Sequence, residues 1–114
     1  MSYVVDMPDG WYAVTNTKKG VGFGVRFPKE VFPTLWYWQC LGGAFGYPFW
    51  GRQYNVGLEP FTSLGNPGLT YAINNGTAMK LDPSQRVNAT VKAIAYTGKS
   101  GVREIDPDGN VSLK

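Results

Sequence analysis

The chain has 114 residues, 43% of them hydrophobic and 17% charged, with a net charge of +3. That balance suits one folded domain spanning 1–114 and excludes a disordered chain, and no apolar run approaches the roughly 18 residues of a membrane-spanning helix. There is no histidine, which removes imidazole triads, Cys–His dyads and His-based zinc sites from the chain's own chemistry.

Met1 to Pro8 has neither a basic region nor a long apolar stretch, so no secretory leader is expected and the expected compartment is cytoplasmic. Trp11 to Thr17 and Val21 to Phe27 read as a hairpin joined through Lys18-Lys19-Gly20. In its second strand Val21, Phe23, Val25 and Phe27 alternate with Gly20, Gly22, Gly24 and Arg26, leaving one face bare. Leu35 to Cys40 predicts a strand. Gly42 to Gly51 is too rich in glycine and proline for an element interior and predicts a loop. Tyr54 to Thr62 predicts the next strand. After the turn signal Asp82-Pro83-Ser84, Gln85 to Thr97 alternates, with Val87, Ala89, Val91, Ala93 and Ala95 on one side and Arg86, Asn88, Thr90 and Lys92 on the other. Val102 to Ile105 and Val111 to Leu113 flank a hairpin turn, Asp106-Pro107-Asp108-Gly109-Asn110. The expected fold is therefore all-β, an antiparallel sandwich of roughly eight short strands.

From Val31 to Met79 the only charged residues are Arg52 and Glu59. Alternation along Tyr54 to Thr62 places Asn55, Gly57, Glu59 and Phe61 on one face. A carboxylate among Gly57, Leu58, Pro60 and Phe61 loses hydration, as a general base for a hydroxyl proton requires. Gly57 leaves room beside it for a ligand. The plainer reading is a structural ion pair between Glu59 and Arg52, or a Glu59 that faces solvent. Trp36 and Trp38 share one face of their strand and suit stacking on the apolar face of a sugar ring, although large aromatics also fill cores.

Phe32-Pro33-Thr34-Leu35-Trp36-Tyr37-Trp38-Gln39, a glycine-rich aromatic loop and Tyr54-Asn55-Val56-Gly57-Leu58-Glu59-Pro60-Phe61-Thr62 together resemble the aldose 1-epimerase (galactose mutarotase-like) superfamily. Leu81-Asp82-Pro83-Ser84-Gln85 leading into a long final strand extends the resemblance, which runs from about Trp11 to Thr97. It implies the C-terminal portion of a β-supersandwich that binds a sugar across one broad sheet face. Glu59 then takes the proton from the anomeric hydroxyl, a general acid protonates the ring oxygen, and reclosure of the opened ring gives the other anomer. Arg52, Trp36 and Trp38 are the expected sugar-lining residues. The family's acid is usually a histidine from the portion this chain lacks, so another segment or chain must supply it. Uncovered sheet edges imply a homo-oligomer or a companion chain.

Rival motifs carry less. Lys19-Gly20-Val21-Gly22-Phe23-Gly24-Val25 has some likeness to RNA-binding β-folds, but Val21 stands at one of the aromatic positions and the charge is diffuse. Gly20, Gly22 and Gly24 lack the dinucleotide spacing and no helix follows. Asp106, Asp108 and Asn110 suit a turn better than calcium. Asn75-Gly76-Thr77 and Asn88-Ala89-Thr90 match the glycosylation triplet, which means little without a secretory leader. Cys40, the single cysteine, ends an apolar strand and reads as a small buried hydrophobe. The sequence thus predicts a carbohydrate-binding protein with a small-molecule sugar as its partner. It exchanges anomers through Glu59 or else is a non-catalytic binding or assembly subunit. No cofactor, metal, nucleic acid or membrane is expected to take part.

Overall fold

The computed structural model describes residues 1–114. The alternating apolar stretches form eight strands, every pairing among them is antiparallel, and one short helix is the only other element. The protein is all-β. No helix is long and apolar enough to cross a membrane. The strands fall into two compact units, one of residues 1–7 and 32–80, the other of residues 8–31 and 81–114.

The first unit holds a three-stranded sheet in the order β1 (Ser2–Val4), β4 (Thr34–Leu41), β5 (Tyr54–Phe61). Strand β1 is too short to show a period and escaped the sequence pattern; its alignment of Tyr3 with Trp36 fixes it. Thr34 is buried at the start of β4, and its hydroxyl lies 2.7 Å from the Ser63 carbonyl and 3.1 Å from that of Phe61. That contact ties the end of β5 to the start of its partner. The helix α1 (Leu69–Asn74) turns only Ala72 fully inward. Six residues cannot display an amphipathic stripe, so no helical period marks it in the sequence.

The second unit pairs β2 (Trp11–Asn16), β3 (Val21–Arg26) and β6 (Lys92–Thr97) in one sheet, with β7 (Val102–Ile105) and β8 (Val111–Leu113) as a separate hairpin. Both hairpins predicted from the sequence form. The β2–β3 turn closes with Gly20 N–H on the Asn16 carbonyl at 2.8 Å, and Gly20 takes a positive φ of 69° there. The hairpin meets the sheet through the Ile105 side chain, which lies against Gly24. Ile105 is fully buried.

Two expectations for this unit are corrected. Gln85 to Thr97 was expected to be one strand, but only Lys92–Thr97 pairs. The partner strand runs out at Arg26, opposite Lys92, and Pro28 just beyond has no N–H to offer. Residues 85–91 alternate with nothing to pair against. The face expected to be bare is also covered, while the apolar face is buried only at its Val25–Phe27 end. Val21 and Phe23 remain 47% and 48% exposed, whereas the glycine face receives Ile105 against Gly24 and the Tyr96 ring against Gly22. The missing side chains are the trough into which bulky neighbours fit, and Tyr96 is held there by a 2.7 Å hydrogen bond between its hydroxyl and that of Thr15.

Two carboxylates in this unit are held below the ordinary aspartate value. Arg26 donates to Asp9 at 2.6 Å and is the main cause there. The Asn110 side chain, joined by the backbone N–H groups of Asn110 and Asp108, does the same for Asp106. Each group binds its proton more weakly folded than unfolded. Its contribution is therefore complete above the unfolded value of about 4 and disappears as the pH falls through the lower folded value. Denaturant midpoints are expected to fall as the pH drops below about 4, and the fall is expected to be shallower in Asp9→Asn.

Candidate functional site

The pairing of β4 with β5 places Trp36 opposite Glu59 and Trp38 opposite Gly57. Directly opposed residues of an antiparallel pair share a face. The two tryptophans and the glutamate singled out from the sequence therefore lie on one face, with Tyr3, Thr34, Cys40, Asn55 and Phe61.

Glu59 is half-buried. Its carboxylate folds back along its own strand over Gly57. A Cβ built on Gly57 would lie 3.1 Å from Glu59 Oε1 and 3.5 Å from Cε3 of Trp38. The room that Gly57 leaves thus holds the carboxylate itself, beside the Trp38 indole. Glu59 has no hydrogen-bond donor from the protein and no ion-pair partner, since the one salt bridge of the chain joins Arg26 and Asp9.

The two indoles differ in how far they are committed. Trp36 stacks on Phe61 at 3.7 Å between centroids, meets Tyr3 edge-on at 5.7 Å, and donates its indole N–H to the Ser63 carbonyl at 2.9 Å. It anchors the sheet and walls a cleft of about 290 Å³ toward Leu69, Ala72 and Met79. Trp38 touches one ring, Phe49, tilted at 6.0 Å. With Phe49, Gly43, Ala44 and Gln39 it lines a second cleft of about 270 Å³.

Arg52 makes no salt bridge with Glu59. It is exposed in the loop before β5, its own N–H bonded to the Phe49 carbonyl. It lies ahead of the first residue of β5, Tyr54, with six residues between it and Glu59. The Glu59–Arg52 ion pair offered by the plainer reading is not made.

No protein-family model, curated protein or solved structure matches the chain.

Three contributors to this surface are missing from the sequence reading. Phe49 meets Trp38, Tyr3 meets Trp36, and the loop from Gly42 to Gly51 is an ordered aromatic knot rather than a plain connection. Gly42 N–H bonds to the Gln53 carbonyl at 2.9 Å and Gly51 N–H to that of Ala44 at 2.8 Å. Tyr47, 84% exposed and followed by a cis Tyr47–Pro48 bond, meets Trp50 edge-on at 5.9 Å. The crowding of aromatics between Phe32 and Tyr54 was the available signal; which rings face Trp38 depends on how the loop closes. Asn55 completes the face. Its Oδ1 is buried without a hydrogen-bond donor.

Chemically, the arrangement offers an unpaired carboxylate as acceptor beside one face of an indole. A hydroxyl can donate to the first while C–H groups of the same molecule lie on the second. Proton donors are scarce on this face: the Tyr3 hydroxyl is engaged with Asn66, and Cys40 is buried.

Proposed function

We propose that the chain is a mutarotase-like carbohydrate-binding module whose sugar lies on the Glu59–Trp38 face. The observation that carries this reading is the Glu59 carboxylate, free of protein partners, held over Gly57 against the Trp38 indole. A pyranose matches such a pair, with hydroxyls on its edge and C–H groups on its face. The resemblance to the aldose 1-epimerase superfamily is part of this reading, and its tryptophan strand and Gly-Leu-Glu-Pro strand are direct neighbours in register. Trp36 belongs to the wall of the site through its packing, and Arg52, exposed in the loop before β5, contributes to a longer ligand.

Binding without turnover is the activity expected of this chain alone. Glu59 can serve as a general base, but the opposite step needs an acid near the ring oxygen, and the face supplies none that is uncommitted. Anomer exchange follows where another segment or a companion chain brings that acid. Calorimetric titration with free aldoses tests the reading. Glu59→Gln is expected to weaken binding about tenfold, the loss of one hydrogen bond to a charged group, and Trp38→Ala by at least as much. Polarimetry of the wild type is expected to give anomer exchange no faster than buffer. Unchanged affinity in both variants would refute the site.

Association with a second copy or a companion chain belongs to the same reading, supported by the half-exposed apolar row of Val14, Val21 and Phe23 on the β2–β3 sheet. Sedimentation at micromolar concentration is expected to give more than one chain mass; a one-chain mass counts against association.

A further inference from the structure

A cleft of about 410 Å³ in the second unit collects Arg26, Lys29 and Lys92, all half-buried, with Asn88 and Thr90 on its wall and Asp9 and Glu30 as its acidic members. Arg26 and Lys92 stand directly opposite each other across the β3–β6 ladder. Like charges in that position repel, so their retention there calls for a counter-charge.

The protein supplies only part of it. Asp9 takes one hydrogen of Arg26 Nη1 at 2.6 Å, and the Ile105 carbonyl takes another contact from the same nitrogen at 2.9 Å. The guanidinium keeps the N–H groups on Nε and Nη2. Lys29 is tethered to the Pro8 carbonyl at 2.7 Å and Lys92 to the Pro107 carbonyl at 2.8 Å. Each tether fixes an ammonium at the cleft and leaves it further donors. Three cations against the two lining carboxylates, Asp9 and the more exposed Glu30, leave a surplus of one positive charge.

We propose that this cleft binds a phosphate monoester, its phosphate held by Arg26, Lys29 and Lys92 and its organic part by Asn88 and Thr90. A phosphate monoester is an anion at neutral pH, as the surplus of positive charge requires. The cleft falls within the roughly 300–1,000 Å³ of small-molecule sites, more than a bare phosphate fills. The inference is independent of the sugar site on the other unit, and either can fail alone.

Calorimetric titration at constant ionic strength with glycerol 1-phosphate and with inorganic phosphate tests it. Saturable binding is expected, tighter for the ester. Lys29→Gln and Lys92→Gln are each expected to weaken it about tenfold, the loss of one charge-assisted hydrogen bond, while Lys92→Arg retains it and the exposed Lys18→Gln and Lys99→Gln leave it unchanged. Absence of saturation with either probe, or equal weakening by the Lys18 and Lys99 variants, overturns the site. Inorganic phosphate binding as tightly as glycerol 1-phosphate overturns its assignment to an ester.

Discussion

Gly10→Ala is expected to lower the stability of the second unit by about 3 kcal/mol, the upper part of the usual range for overpacking a tight site. Gly10 is buried just before β2, and a Cβ there would lie 2.0 Å from the Phe27 carbonyl oxygen and 3.0 Å from the Lys29 nitrogen. Both obstacles are backbone. No rotamer change relieves them, so the chains must separate, and separation breaks the 2.8 Å hydrogen bond from Phe27 N–H to the Gly10 carbonyl. The same substitution at Gly43 meets nothing within 4 Å. Urea denaturation is expected to show a large fall in midpoint for Gly10→Ala and almost none for Gly43→Ala. Equal midpoints would mean that Gly10 is not in the tight contact described.

Ile105→Ala comes next, with an expected loss of about 2–5 kcal/mol. Ile105 is the one large side chain that is completely buried. Its Cδ1 reaches 2.5 Å from where a Cβ on Gly24 would stand, so it fills space that the sheet leaves open. Alanine empties that space, and neighbouring backbone cannot collapse into it while Arg26 holds the Ile105 carbonyl at 2.9 Å. Ile105→Val is expected to cost about 1 kcal/mol. A truncation that costs no more than the valine variant would show that the two sheets are not packed through this residue.

These two sites also show where the sequence is informative and where it is silent. The alternation of Val21 to Arg26 reveals the strand, and the Asp106 to Asn110 run reveals its hairpin. The row of glycines reads as a bare face. Only the packing shows that this face is filled as well, because Ile105 lies about 80 residues from Gly24 and no local period connects them. The alternation from Gln85 to Val91 is equally regular, yet forms no strand, since pairing depends on where Arg26 ends its partner. At the candidate site, period-two alternation was enough to bring Trp36, Trp38 and Glu59 to one face, because their strands are direct neighbours. It could not place Arg52, whose position depends on how far β5 extends, nor Phe49, whose contact with Trp38 depends on the closure of the aromatic loop.

The difference between the indoles gives the site a built-in reporter. Trp36 is stacked and hydrogen-bonded into the sheet, while Trp38 has one tilted neighbour and a cleft. In a proton–nitrogen correlation spectrum each of the four tryptophans contributes one indole N–H signal, assignable through single Trp→Phe variants. Titration with glucose or galactose is predicted to move the Trp38 signal saturably in the wild type and much less in Glu59→Gln, with Trp11 unmoved. A Trp38 signal that stays fixed at saturating sugar would contradict the proposed binding face.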